Sequence, residues 1–236
     1  LALLKEVGEE IITEEDLRTL LKTKKTIIAY DGFEPSGRPH IAQGLVRTIN
    51  INKMTKAGIK FKMLVADWHA WANNKMGGDL EKIQNVGKYL IEIWKACGLD
   101  TKNVEFVWAS DLLNSREYWK TVMQVARHST LHRIMRTVEI MGRSEQDTLH
   151  ASQILYPCMQ VADIFHLRAD ICQLGMDQRK VNVLARELVQ FRYVKNNKLA
   201  HLYSLKKALY LVRKSCRQRP SFNNSSIFAV VDSYIR

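Results

Sequence analysis

The strongest constraint on the fold is an alternation along the chain. Short apolar runs occur at 26–30 (TIIAY), 59–66 (IKFKMLVA), 104–110 (VEFVWAS) and 169–175 (ADICQLG), and each leads into a segment with helically spaced apolar residues. Strands alternating with amphipathic helices build βαβ units, so an α/β fold is expected, a mainly parallel sheet flanked by helices. Helix signals begin early: Thr13 stands as an N-cap with Asp16 three residues on, ahead of apolar Leu17, Leu20 and Leu21. Further helices are expected from about Ile41 to Ala57, closed by Gly58, over 80–98, closed by Gly98, and over 116–129 and 131–143. Others cover 148–167, interrupted or bent near Pro157, and 177–188. In parallel sheets ligands gather beyond the carboxyl ends of the strands, at the point where strand order reverses. That directs attention to Tyr30–His40, Asp67–Trp71 and Gly175–Arg179.

The first of these stretches, AYDGFEPSGRPHIAQG over 29–44, is crowded with Gly and Pro between a strand and a helix. Such a junction leaves free N–H groups at the helix start, where donors and dipole both favour a phosphate, although an ordinary βα turn has the same punctuation. The net charge of +12 invites a polyanion partner. Its distribution restrains that reading: residues 188–236 hold ten Lys/Arg against one acid, Asp232, and the remaining 187 residues are nearly balanced. A solvated basic tail looks the same. The four cysteines (Cys97, Cys158, Cys172, Cys216) show neither CxxC pairing nor zinc spacing, which suits reduced thiols of a cytoplasmic protein. No apolar run approaches the roughly 20 residues of a membrane span. The first residues, LALLKEVGEEIITEED, are too acidic for a secretory signal, and because residue 1 is Leu a start further upstream is expected.

Three stretches taken together, YDGFEPSGRPHIAQG, LYPCMQVADI and LGMDQRKVNVLARE, resemble the tyrosyl-tRNA synthetases of the archaeal and eukaryotic cytosolic type. The similarity runs in order from about residue 10 to Glu187. It implies a class I synthetase catalytic domain with a Rossmann-like sheet. It further implies activation of L-tyrosine by ATP, with Mg2+ as part of the ATP substrate complex and no tightly bound cofactor or protein metal site. Transfer to tRNA(Tyr) would follow, in a homodimer joined near residues 110–150 and without a membrane. By this resemblance His40-Ile41-Ala42-Gln43 takes the place of the HIGH motif, His40 and Gln43 acting on the ATP phosphates, with Gly32, Gly37, Gly175 and Asp177 also on the ATP side. Tyr30 and Asp163 would meet the substrate phenol, and Tyr156, Gln160 and Gln178 its ammonium. Independently of the family, Tyr156, Gln160 and Asp163 lie at i, i+4 and i+7 and share one helix face, as a pocket or as a polar surface stripe. Glu34 is assigned to the turn or to the amino-acid side of the site, and His69 either borders the pocket or serves the core.

The chain departs from the family after Glu187. Where a KMSKS loop is expected, Arg217-Gln218-Arg219-Pro220-Ser221 occupies the register, and Pro220 stiffens a loop that should move. The expected organisation is therefore an N-terminal helical extension over 1–23, the catalytic domain over 24–187, and a divergent basic segment over 188–236. A shifted reading frame between 188 and about 222 would explain the same departure. The anticodon-binding domain that the resemblance would place further on is absent from this sequence. Two other functions stay open: a synthetase-derived tyrosine- or RNA-binding protein with weak turnover, and a tryptophanyl-tRNA synthetase. An indole only donates a hydrogen bond, so Tyr30 with Asp163 suits a phenol better.

Overall fold

The computed structural model describes residues 1–142, 144, 148–193 and 209–213. In chain order its elements are α1 (Ala2–Lys5), β1 (Glu10–Ile12), α2 (Glu14–Thr23), β2 (Ile28–Phe33), α3 (Arg47–Lys56), β3 (Lys60–Val65), α4 (Asp67–Ala72), α5 (Leu80–Ala96) and β4 (Val104–Trp108). They continue with α6 (Ala109–Leu113), α7 (Arg116–Arg127), α8 (Leu131–Met135), α9 (Ala151–His166), β5 (Ile171–Gly175), α10 (Arg179–Tyr193) and β6 (Leu209–Arg213). A π-helical turn, Ala42–Val46, leads directly into α3.

The six strands form one sheet in the order β1-β6-β5-β2-β3-β4, all neighbours parallel except the antiparallel β1–β6 pair. The four strands expected from the sequence are β2 to β5. The edge pair is additional: β1 lies within the N-terminal stretch expected to be helical, and β6 comes from the basic segment, so the sheet reaches past 24–187 at both ends. The chain moves from β2 to β3 and β4 on one side, then returns to β5 on the other. The switch point thus lies between β2 and β5.

Strand alternation divides the core in two. Tyr30, Leu64, Cys172 and Leu174 face α7, α9 and α10, whose Val122, Val161, Val181 and Leu184 are buried against them. Ala29, Phe33, Phe61 and Ile171 face the opposite layer, with Leu17 and Leu20 of α2, Ile51 and Met54 of α3, and Trp94 of α5. Each large side chain buried this way contributes about 1.5–3 kcal/mol.

The helix expected over 131–143 divides into α8 and a 3-10 turn, Val138–Met141, and two further departures from the sequence reading shape the site. β2 does not stop at Tyr30 but runs through Asp31 and Gly32 to Phe33, because all six of its residues pair in register with β3, ending at Phe33 opposite Val65. The Gly/Pro turn is correspondingly shorter. The second is Pro157, which lies inside α9 without ending it. It has no N–H for the Gln153 carbonyl, yet α9 is buried along most of its length from Tyr156 to Phe165, and packing holds it as a single helix. The Thr13 cap forms as expected, its hydroxyl accepting from the Asp16 backbone N–H, and Gly58 and Gly98 both adopt positive φ after their helices.

Candidate active site

A cavity of about 430 Å³ opens at the carboxyl ends of β2 and β5, at the switch point. Tyr30, Tyr156, Gln160, Asp163 and Gln178 all line it, as do Gly32, His40, Gln43, Gly175 and Asp177. Among the positions singled out from sequence, Gly37 is not in the lining; its φ of 138° makes it a turn residue.

The floor of the cavity is built on Asp163, 1% exposed. One of its oxygens, Oδ1, accepts the Tyr118 hydroxyl at 2.7 Å. The other, Oδ2, lies 2.9 Å from Nε2 of His69. The His69 ring stands edge-on to that of Tyr156, with centroids 5.0 Å apart. Tyr30, also buried, sits close enough for its phenol to interact electrostatically with those of Tyr118 and Tyr156. Burial and then Asp163 push the Tyr118 phenol well above its usual range, and burial and then Glu34 do the same for Tyr156. Both remain hydroxyl donors at any physiological pH. Burial draws the His69 imidazole down, but the carboxylates of Asp163, Glu34 and Asp67 together outweigh it and leave the group above its ordinary value.

On the wall beside the floor, Gln178 donates through Nε2 to the Ile140 carbonyl (3.0 Å) and to Asp177 Oδ2 (3.0 Å), and its Oε1 accepts from Gln160 Nε2 at 2.9 Å. Those bonds leave Gln160 Oε1 as an acceptor for a cation. Glu34 completes this wall. Asn73 Nδ2 reaches both of its oxygens at 3.2 and 3.3 Å, and Tyr156 also hydrogen-bonds to it. Burial raises the Glu34 carboxyl above its ordinary value, against the lowering effect of these partners and of Lys75.

At the mouth, His40 is exposed. Gln43 reaches back, its Oε1 accepting from the His40 backbone N–H at 3.1 Å, so it caps the helix start as well as facing the cavity. A Cβ at Gly175 would run into Asp177 Oδ1, so a larger residue there would displace the Asp177 carboxylate from its present position. Gly32 is different: a Cβ would find only ordinary contacts at 3.7 Å, so its lack of a side chain serves the open space. Asp31, whose side chain alternates with that of Tyr30, pairs with Arg47 at 2.9 Å; both also line the cavity, and Arg47 donates to Gln173 Oε1. Among the described residues, no group of three or more His, Cys, Asp or Glu is placed to hold a metal ion.

Sequence reasoning missed Tyr118. Its signal is present in the periodicity of α7, where Tyr118, Thr121, Val122 and Val125 make one buried face, but the apolar content of this segment suits an interface, a core or an RNA contact equally. Asn73 and Gln153, which bond to each other at 3.2 Å behind Glu34, were also missed, and nothing local marks them. The Arg217–Ser221 stretch lies outside the described residues.

A Rossmann-like sheet with such a cavity at its switch point defines a nucleotide-handling α/β catalytic domain. The chain matches the family described as tRNA synthetases class I (W and Y) over residues 22–212, and it belongs to that family. It is 63% identical over 187 residues to "Tyrosine--tRNA ligase 1, cytoplasmic" of Arabidopsis thaliana, an alignment that covers 78% of this chain and 49% of the relative. Among solved structures it is similar to the Leishmania major tyrosyl-tRNA synthetase in complex with tyrosinol, with a TM-score of 0.81 and 50% identity, covering 90% of this chain and 30% of that one. The tyrosyl-tRNA synthetase of Pyrococcus horikoshii complexed with L-tyrosine aligns with a TM-score of 0.79 and 35% identity, covering 98% of this chain and 65% of that one. This chain therefore spans about half the length of the Arabidopsis relative. Among the described residues no helix is long and apolar enough to cross a membrane.

Proposed function

We propose that this chain carries the catalytic unit of a tyrosine--tRNA ligase, which activates L-tyrosine with ATP and passes the tyrosyl group to tRNA(Tyr). The observation that carries the reading is the buried Asp163 carboxylate at the cavity floor, with the buried Tyr30 phenol in the same lining. A phenol entering the cavity donates to Asp163 and accepts from Tyr30, whereas phenylalanine offers these groups neither a donor nor an acceptor. An indole can satisfy only the acceptor. The ammonium is met by Gln160, Tyr156 and Gln178, with the Glu34 carboxylate behind them. The tyrosinol and L-tyrosine complexes of the two similar enzymes support the same occupant.

In the first step the tyrosine carboxylate attacks the α-phosphate of ATP, forming the mixed anhydride and releasing pyrophosphate. In the second, a hydroxyl of the 3′-terminal adenosine attacks the tyrosyl carbonyl and AMP leaves. The chain supplies no nucleophile. Its residues hold the two substrates in line and stabilise charge growing on the phosphates, His40 and Gln43 from the helix start, Gly32 and Gly175 by keeping the cavity clear, and Asp177 by holding the ribose. Mg2+ travels with the ATP. On this reading the catalytic body is residues 24–187 with the edge strands β1 and β6 added, the rest of 188–236 stands in place of the KMSKS region, the active species is a homodimer joined near 110–150, and the protein works in the cytoplasm.

A second reading, a tyrosine-binding protein with weak turnover, is favoured by one observation, the Arg217-Gln218-Arg219-Pro220-Ser221 stretch where KMSKS lysines are expected. ATP–pyrophosphate exchange separates the two, with tryptophan and phenylalanine as controls. Exchange that depends on tyrosine is the expected result. Tyrosine binding without exchange selects the second reading, and exchange driven by tryptophan overturns both.

A further inference from the structure

We propose that His69 is a positioning residue of the phenol subsite, holding the Asp163 carboxylate in the orientation that selects tyrosine over phenylalanine. The inference rests on the reading of the cavity as a tyrosine site. His69 belongs to the short helix α4, which follows the carboxyl end of β3, and it is 2% exposed. Asp163 comes from α9, at the cavity floor. A buried carboxylate needs both its oxygens engaged and a countercharge near it. Tyr118 donates to Oδ1, and His69 Nε2 lies 2.9 Å from Oδ2 as a charge contact outside hydrogen-bond alignment, so one residue stands at each oxygen of the carboxylate. Each oxygen keeps a lone pair for the substrate hydroxyl.

Among the described residues, His69 is also the cation-capable group paired with Asp163. Arg47, which also lines the cavity, is committed to Asp31 and Gln173, and Lys75 stands 3.6 Å from Glu34. The acids that face the imidazole are Asp163 from α9, Glu34 from the turn after β2, and Asp67 from α4 itself. Asp67 is held by Gln84 Nε2 and the Ser110 backbone N–H. The Tyr156 ring closes the remaining side. Their combined negative charge outweighs the effect of burial and raises the imidazole above its ordinary value, while the 2.9 Å approach to Oδ2 places its ring behind the incoming phenol.

The test is calorimetric titration of the full chain with tyrosine and with phenylalanine, comparing wild type, His69→Phe, His69→Asn and His69→Gln. Phe removes the nitrogen and Asn is too short to reach Oδ2, so both are expected to lose tyrosine affinity on the order of tenfold with phenylalanine affinity unchanged. Gln carries a donor near the position of Nε2 and is expected to recover most of the loss. ATP affinity should be the same in all four proteins. If Phe at this position does not fold, Asn gives the same comparison. Equal weakening of both amino acids, or no change in their ratio, overturns the role of His69 while leaving the tyrosine site intact. A wild-type chain that binds no tyrosine overturns the site itself, and the role of His69 with it.

Discussion

Tyr118→Phe removes one oxygen atom and nothing else. The side chain is fully buried, its ring packs against His166 and Trp119, and those contacts survive the change. What disappears is the donor to Asp163 Oδ1 at 2.7 Å, a hydroxyl that also lies 3.2 Å from the Met159 carbonyl. With a single proton to give, the hydroxyl serves the carboxylate, the stronger acceptor. A hydrogen bond to a charged group is worth about 1.5–3 kcal/mol net, and a loss of about 2 kcal/mol is expected here. For a chain of this size that lowers the unfolding midpoint by about 4–8 °C. The control is Tyr89→Phe, which alters a half-exposed phenol and should leave stability within about 0.5 kcal/mol. Because the folded-state pKa of Tyr118 is raised above the ordinary value of 10.0, its contribution is complete below that value and is lost only as pH rises through the folded pKa. The deficit of the variant should therefore be the same at pH 7 and pH 9, to within about 0.3 kcal/mol. Urea denaturation measures both. A Tyr118→Phe protein as stable as wild type would refute the hydroxyl–carboxylate bond, and with it the account of how Asp163 is held.

Three other perturbations test other parts of the cavity. Asp163→Ala should weaken tyrosine by about 2–3 kcal/mol while an adenylate analogue lacking the phenol binds as before; unchanged tyrosine affinity would sink the phenol assignment. Gly32→Ala should fold with equal or slightly higher stability, since the new Cβ meets only contacts at 3.7 Å, yet bind ligand more weakly because it enters the open space; equal affinity for tyrosine and ATP would show that nothing approaches that backbone. Glu34 has a folded-state carboxyl raised above its ordinary 4.5, so its stabilising contribution is complete below that value and lost as pH rises through the higher folded one. Glu34→Gln, which carries no charge to desolvate, should show no such loss between pH 4.5 and neutrality, and a parallel pH profile would contradict the burial of that carboxylate.

What the sequence discloses about this fold is what short-range geometry encodes. The α2 cap needs only Thr13 and Asp16, three residues apart, and it forms as read. Tyr156, Gln160 and Asp163 are brought to one wall by the pitch of a helix, and that too is legible without any tertiary knowledge. The length of β2 was not legible, because Asp31 and Gly32 are poor strand residues taken alone; six parallel pairings with β3 override their preferences. β1 is only three residues long and becomes a strand through pairing with β6, from the other end of the chain.

The site follows the same division. Asp163 is met by Tyr118 from α7 and His69 from α4, and each of the three residues by itself reads as ordinary. A tyrosine on an amphipathic helix face suits a core or an interface. A histidine after a strand is more often structural, and an aspartate within a helix suits solvent. Only the wrapping of α4, α7 and α9 around one end of β2 turns them into a single buried network. In that setting the carboxylate cannot be left with an unengaged oxygen without a cost comparable to the binding energy of the phenol itself. Specificity for the substrate hydroxyl and the stability of this corner of the core therefore depend on the same three side chains, and substitutions that relax one should relax the other.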